Sequence, residues 1–328
     1  MKINFIKCHG SGNDFIMIDE TIDENGSIAE LFRKDMAIAL CDRNSGIGAD
    51  GILFYLHSES ADCRMRMLNP DGGEAEMCGN GLRCIGRYCI EKLRRKKITV
   101  ETMKAILSVE TGEQIYDGIE TFKAEIGPIS LDPRSLPMEE ESDTFIGKPI
   151  NDLPENLKFT ALSVPNPHII TIVDSIDEKT VNQCGIKANN SKNFPKGVNV
   201  SFVRLLDKNR IFVITYERGV GITYSCGTAM SASAYVAALN NIVDGNKPIS
   251  VFNKGGMVVC NVFKDKNNML LQGNATFVFE ASVEMNESFN SVKKQYEGKV
   301  RLDEVDAYAK LQEYAISVIE ISTPSQLY

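Results

Sequence analysis

Cys78 and Cys226 stand in closely similar settings. The first lies in Asn69-Pro-Asp-Gly-Gly-Glu-Ala-Glu-Met-Cys78-Gly-Asn-Gly, the second in Glu217-Arg-Gly-Val-Gly-Ile-Thr-Tyr-Ser-Cys226-Gly-Thr-Ala. Each stretch reads as a strand, a glycine-containing loop, then Cys-Gly at the start of a helix. A cysteine at a helix N-terminus sits near unpaired backbone N–H groups and the positive end of the macrodipole. Both favour thiolate over thiol, which predicts a lowered pKa. The same N–H groups can hold a carboxylate, and the glycine after each cysteine lets a ligand approach the backbone. An α-amino acid carries a carboxylate beside the C–H that must ionise. Two such units facing one another would set one sulfur on each face of that carbon. One thiolate takes a proton, the opposing thiol returns one, and the configuration inverts.

The elements that must carry these cysteines follow from periodicity. Short strands are predicted at 3–7 and 14–18, and a helix at 28–41. The connection Gly46-Ile-Gly-Ala-Asp-Gly51 leads into strand 52–56. Strand 65–68 follows. In the helix after Cys78, Leu82, Ile85, Cys89 and Leu93 form the apolar stripe, which turns Arg83, Arg87 and Glu91 outward. Further strands fall at 98–101 and 105–110. The Pro-, Asp-, Glu- and Ser-rich stretch 131–156 is the expected inter-domain link. The second half repeats the plan, with strands at 159–164, 169–173, 198–205 and 210–217, a helix from Cys226 to Leu239, and strands at 257–263 and 269–279. No residue from Gly219 to Val243 is charged, so the second helix is expected to be buried in protein. The tail closes on an amphipathic helix at 302–319. Similar units in both halves suggest duplication and a pseudo-symmetric site.

Composition narrows the classes. The chain has 328 residues, a net charge of −8 and 43% hydrophobic residues. Two α/β domains of ordinary size are expected, and the acidic balance disfavours nucleic acid or an anionic membrane as partner. No long apolar run suggests a membrane span, and the start has no apolar leader. The nine cysteines show no zinc-ligand spacing. Reduced thiols in the cytoplasm, with no metal, are the expectation. Cys84 and Cys89 read as packing, His57 as a surface residue, and His9 as part of a turning loop without a catalytic role.

At these residues a family resemblance becomes visible. The chain resembles diaminopimelate epimerases over about residues 3–283, in His9-Gly-Ser-Gly-Asn-Asp-Phe15, Gly46–Gly51, Met77-Cys-Gly-Asn-Gly-Leu-Arg83, Val164-Pro-Asn-Pro-His168, Gly197-Val-Asn-Val-Ser201, and Tyr216-Glu-Arg-Gly-Val-Gly221 with Ser225-Cys-Gly-Thr228. The Val-Pro-Asn-Pro-His variant and the long tail look like a longer branch of the family seen in Gram-positive bacteria. The resemblance implies two pseudo-symmetric domains, each a mostly antiparallel sheet wrapped around a central helix. The first would span 1–130 and take back the strand near 276–283; the second would span 131–275, with 284–328 as a C-terminal, helical extension.

The same resemblance implies cofactor-independent epimerisation of LL- to meso-diaminopimelate, in lysine and cell-wall precursor biosynthesis. Cys78 and Cys226 match the catalytic pair. His168, beside Cys78, and Glu217, beside Cys226, match residues that assist proton transfer. Asn13, Asn69, Asn166, Asn199 and Arg218 match substrate-binding side chains, with Arg218 suited to a distal carboxylate. Gly79, Asn80, Gly227 and Thr228 match the two helix N-termini that hold the carboxylate at the reacting centre. Ile222 and Gly51 depart from residues that many members carry, Glu and a larger polar residue respectively. The implied partner is a small molecule, and a homodimer is allowed. Two alternatives remain open here: a racemase of another amino acid on the same fold, and a thiol redox protein with a Cys78–Cys226 disulfide. Proline racemases typically carry His where this chain has Asn80, and only an epimerase should have its thiols protected by diaminopimelate.

Overall fold

The computed structural model describes residues 1–22, 28–136, 138–140, 142–296 and 298–322. Pro137 and Glu141 of the expected link, and 297 and 323–328 of the expected extension, lie outside the described residues. The chain runs β1 (Lys2–Gly10), β2 (Asn13–Asp19), α1 (Glu30–Cys41), β3 (Gly51–Leu56), β4 (Cys63–Leu68), α2 (Gly79–Leu93), β5 (Lys97–Glu101), β6 (Ile106–Thr111) and β7 (Thr121–Ile126). It continues through β8 (Phe159–Val164), β9 (Asn166–Ile172), α3 (Glu178–Asn190), β10 (Asn199–Asp207), β11 (Arg210–Glu217), β12 (Gly221–Thr223) and α4 (Gly227–Leu239). It ends with β13 (Ile249–Asn253), β14 (Gly256–Phe263), β15 (Asn268–Asn274), β16 (Thr276–Met285), β17 (Val292–Tyr296) and α5 (Leu302–Ile321).

Two compact units result. Among the described residues, one comprises 1–124 and 273–310, the other 125–272 and 311–322. The stretch 131–156 falls within the second.

The first unit pairs β1 with β2 antiparallel, β2 with β3 parallel, β3 with β4 antiparallel, β4 with β5 parallel, then β5, β6 and β7 antiparallel. In the second unit β8, β9, β10, β11, β13, β14 and β15 repeat that order of senses. Antiparallel β16 and β17 extend the first sheet beyond β1. Within each unit one helix touches six strands: α2 packs on β1 to β6, and α4 on their counterparts β8, β9, β10, β11, β13 and β14. This is the duplicated α/β fold, a mostly antiparallel sheet around a central helix in each half.

The two helices earn their central place differently. Residues Gly227 to Ala238 of α4 are all buried and uncharged, and most are Gly, Ala, Ser or Thr. Small side chains let strands close around the helix backbone. Helix α2 buries Leu82, Ile85 and Cys89 in the core of its unit, together with Phe15, Leu53, Val100 and Val109. Leu93, expected on that stripe, is exposed at the helix end.

The larger correction concerns Arg83 and Arg87, which are buried rather than outward. A helix enclosed by strands on most sides has no solvent face there, so its guanidiniums must be satisfied internally. Arg83 donates to Asn80 Oδ1, Ser11 Oγ and the Asn274 carbonyl, and Arg87 to Glu91, the Ala275 carbonyl and both oxygens of Glu304 on α5. Tyr308 of α5 packs edge-on against His9, 4.3 Å between ring centroids. The start of α5 thus buttresses the end of β1 and the helix that follows Cys78.

Gly86 on α2 lies hard against Val109 of β6. A Cβ there would lie 2.4 Å from Val109 Cγ1. Gly86→Ala should therefore destabilise the fold by about 1–3 kcal/mol, the usual cost of overpacking, seen as a lowered Tm. Adding Val109→Ala should recover part of that loss. A Tm equal to the parent's in Gly86→Ala would contradict this packing.

Candidate functional site

The first cluster is built at the start of α2. Cys78 is its N-cap residue, with extended backbone (φ −146°, ψ 106°), and its sulfur accepts the Gly81 N–H at 3.3 Å. Asn13, at the start of β2, places Oδ1 3.8 Å from the same sulfur and 3.3 Å from Asn80 Nδ2. Its own Nδ2 donates to Asp50 at 2.9 Å. Asp50 sits just before β3, and Arg43 bridges it to Asp14. The extra charge there brings Asp14 to about 2, against the opposing effect of burial, through hydrogen bonds and attraction from Arg43 and Lys7. Asn69 opens the turn that delivers the chain to Cys78: its N–H donates to the Gly73 carbonyl and its carbonyl accepts from Gly72. Gly72 turns at φ +81°, a conformation that suits glycine.

The second cluster is built at the start of α4. Cys226 is the N-cap residue there, half-buried, with Thr228 Oγ1 3.4 Å from its sulfur. Asn166 Nδ2 donates to Thr228 Oγ1 at 3.1 Å, and Asn166 Oδ1 lies 2.9 Å from His168 Nε2. A hydrogen-bonded series therefore joins His168, Asn166, Thr228 and Cys226. With Asn166 Oδ1 as acceptor, His168 carries its proton on Nε2. His168 Nδ1 is then a buried acceptor without a partner among the described residues. Parallel pairing sets His168 opposite Asn199. Asn199 Oδ1 accepts the Arg218 N–H at 2.9 Å, and the Arg218 guanidinium donates to the Lys196 carbonyl at 3.0 Å. Gly197, at φ +72°, leaves room for the Arg218 stem; a Cβ there would meet its Cδ at 2.8 Å. Thr223 on β12 donates to Glu217.

The helix N-terminus was expected to favour the thiolate at Cys226. The structure reverses that sign. Burial raises the Cys226 thiol well above its ordinary range, the Glu217 carboxylate adds to this, and the Thr228 hydroxyl and Ala229 amide oppose them only in part. A charge that loses water and meets a carboxylate costs more than one helix end returns. Cys226 is therefore a thiol at neutral pH.

A family model described as diaminopimelate epimerase matches residues 5–121 and 160–278. A diaminopimelate epimerase of Clostridium acetobutylicum is 44% identical over 322 residues, covering 96% of this chain and 95% of its own. One of Listeria welshimeri is 42% identical over 290 residues, covering 86% of this chain and 88% of its own. The chain belongs to the diaminopimelate epimerase family. Among solved structures, a probable proline racemase from Agrobacterium radiobacter K84 superposes with a TM-score of 0.61 at 13% identity, over 88% of this chain and 96% of its own. A PhzF-family phenazine biosynthesis protein of Bacillus anthracis gives 0.59 at 19% identity, over 87% and 100%. At such identities these two show the fold of the epimerase family and nothing finer.

The sequence candidates of this family member divide between the clusters. Cys78, Gly79, Asn80 and Asn13 meet at α2. Cys226, Gly227, Thr228, Asn166 and His168 meet at α4, with Asn199, Arg218 and Glu217 on the adjoining strands. His168 and Asn166 lie on β9 rather than in a loop, because the turn from β8 needs only Pro165. Asp50, Arg83 and Thr223 carried no site role in the sequence, although all three stand inside quoted stretches. Their signal would have been charge or hydroxyl groups beside otherwise apolar or glycine-rich segments.

His168 gives a check on this burial. Removal from water, with the Arg218 charge as a lesser cause, takes it from 6.5 to about 3. The unfolded chain binds a proton below about pH 6.5 that the folded chain refuses until about pH 3, so stability falls as pH falls through that window. His168→Gln should flatten the decline of Tm between pH 6.5 and 4, leaving the share due to His9, which burial lowers to about 4. A decline as steep as the parent's would mean that His168 is not held neutral.

Proposed function

We propose that this chain, an isomerase by its family, interconverts LL- and meso-diaminopimelate with Cys78 and Cys226 as the proton-transfer pair. The observation that carries the reading is the repeat itself. Each unit ends a matching run of strands in Cys-Gly at the N-terminus of its buried central helix, within a family whose members are named for this reaction. The step would serve the supply of lysine and of cell-wall precursors.

In this reading both cysteines act on one α-carbon. Backbone N–H groups at Gly79 and Asn80, and at Gly227 and Thr228, hold the carboxylate beside it and steady the charge that develops when the proton leaves. The Gly81 N–H supports Cys78 as the thiolate that removes a proton in one direction. Cys226, a thiol at neutral pH, returns a proton from the other face. The sulfur–hydrogen bond formed at one cysteine balances the one broken at the other, so the pair emerges with its charges exchanged. The reverse direction uses the same atoms in opposite roles. Glu217 and His168 assist the proton transfers, and Asn69, Asn166, Asn199 and Arg218 bind the remaining carboxylate and ammonium groups. Two thiols supply both acid and base, so the reading calls for neither metal nor pyridoxal phosphate.

All nine cysteines are free thiols, which suits a reducing compartment such as the cytoplasm. No helix among the described residues is long and apolar enough to cross a membrane. The reading needs no nucleic-acid partner and is compatible with a homodimer.

Activity should survive dialysis against a chelator and treatment with a carbonyl reagent. Lysine, which lacks the distal carboxylate, should be a very poor substrate. Arg218→Gln should lower kcat/KM for diaminopimelate by about 100-fold, the scale of one lost charged hydrogen bond in a binding site. A kcat/KM for lysine comparable to that for diaminopimelate would replace this reading with that of a broad racemase.

A further inference from the structure

The amides flanking Cys78 are oriented from both ends. An ionised carboxylate only accepts, so the atom of Asn13 facing Asp50 at 2.9 Å must be its nitrogen. A guanidinium only donates, so the atom of Asn80 facing Arg83 at 2.8 Å must be its oxygen, and its nitrogen turns to Asn13 Oδ1 at 3.3 Å. Polarity therefore runs one way, from Arg83 through Asn80 and Asn13 to Asp50. The atom of Asn13 that lies 3.8 Å from the Cys78 sulfur is consequently an oxygen. It can accept a hydrogen bond from the thiol and can offer nothing to a thiolate. The Gly81 N–H, 3.3 Å from the same sulfur, does the opposite. A sulfur that must take a proton in one direction and give one in the other is served by both.

We propose that Asp50 is a positioning residue for Cys78: it fixes the Asn13 amide with oxygen toward the sulfur, and so balances the thiol against the thiolate. The proposal rests on reading Cys78 as one of the proton-transfer thiols, but it concerns the ionisation of the sulfur and not turnover. Other charged groups around this cluster are Lys7 on β1, Asp14 on β2, Arg43 beyond α1 and Arg83 on α2. Lys7 pairs with Asp14, and Arg43 with Asp14 and Asp50. His9 on β1 is neutral.

The test is the pH profile of Cys78 alkylation by iodoacetamide, read by peptide mass spectrometry, with Cys226 as internal reference. Asp50→Asn removes the charge but keeps an acceptor for Asn13; Asp50→Ala removes both. Well below the midpoint, Asp50→Ala should react about threefold to tenfold faster than the parent, a shift of about half to one pH unit. Asp50→Asn should stay within about twofold, since the acceptor survives. Asn13→Ala should match Asp50→Ala, and combining them should add nothing further, as required of residues acting in series. Equal acceleration in Asp50→Asn and Asp50→Ala would reduce the effect to charge and overturn the proposal. So would an unchanged rate in Asp50→Ala, or a further acceleration by Asp50→Ala in the Asn13→Ala background. If Asp50→Ala does not fold, Asn13→Ala decides alone: a parental rate overturns the proposal. Loss of epimerisation in Cys78→Ser tests the functional reading, whereas these profiles test the wiring.

Discussion

A helix enclosed by its own sheet still begins with backbone N–H groups that no residue of the helix can satisfy. In this chain that constraint occurs twice, at Gly79 and at Gly227, and the residue before each is a cysteine. Burial of the rest of the helix concentrates polarity at its start. The strands wrapped around α2 and α4 are therefore what make those two ends chemically useful. They remove competing water from the helix flanks and fix where the end points.

Enclosure also sets the protonation states. At Cys226 the loss of water and the Glu217 carboxylate outweigh the helix end, so the thiol is kept. At Cys78 an N–H donor and an amide oxygen face the same sulfur. The two similar loops thus give their cysteines different environments. The difference comes from the neighbours: Glu217 and Thr228 in one case, Asn13 with Asp50 and Arg83 in the other. Buried guanidiniums at Arg83 and Arg87 are costly unless every donor is matched, and their partners tie α2 to Ser11, Asn274 and Glu304.

Much of this was legible in the sequence. The two Cys-Gly helix starts, the uncharged run through α4 and the duplicated plan all follow from residue type and spacing. The unread parts have physical causes. Helix α3 has its buried residues Val181, Cys184, Gly185 and Ala188 at helical spacing, but they are small and set among polar neighbours. Strands β12, β13 and β17 are short, and the run read as one strand from 269 to 279 breaks at Ala275 into β15 and β16. Arg83 and Arg87 looked solvent-facing because periodicity gives only one stripe, whereas a helix touched by six strands has almost no outside. The sign of the Cys226 shift was misread because a helix end is visible in sequence and the depth of burial is not.

The central claim is that Cys78 and Cys226 exchange protons with opposite faces of one α-carbon. Its most direct test follows loss of the α-proton from LL- and from meso-diaminopimelate separately, in deuterated solvent, with Cys78→Ser and Cys226→Ser. Serine is a far weaker base near neutral pH, so each variant should lose epimerisation. Exchange that survives should show opposite stereochemical preference in the two variants. If both exchange the same stereoisomer, or either epimerises at the parent's rate, the two-face assignment is contradicted.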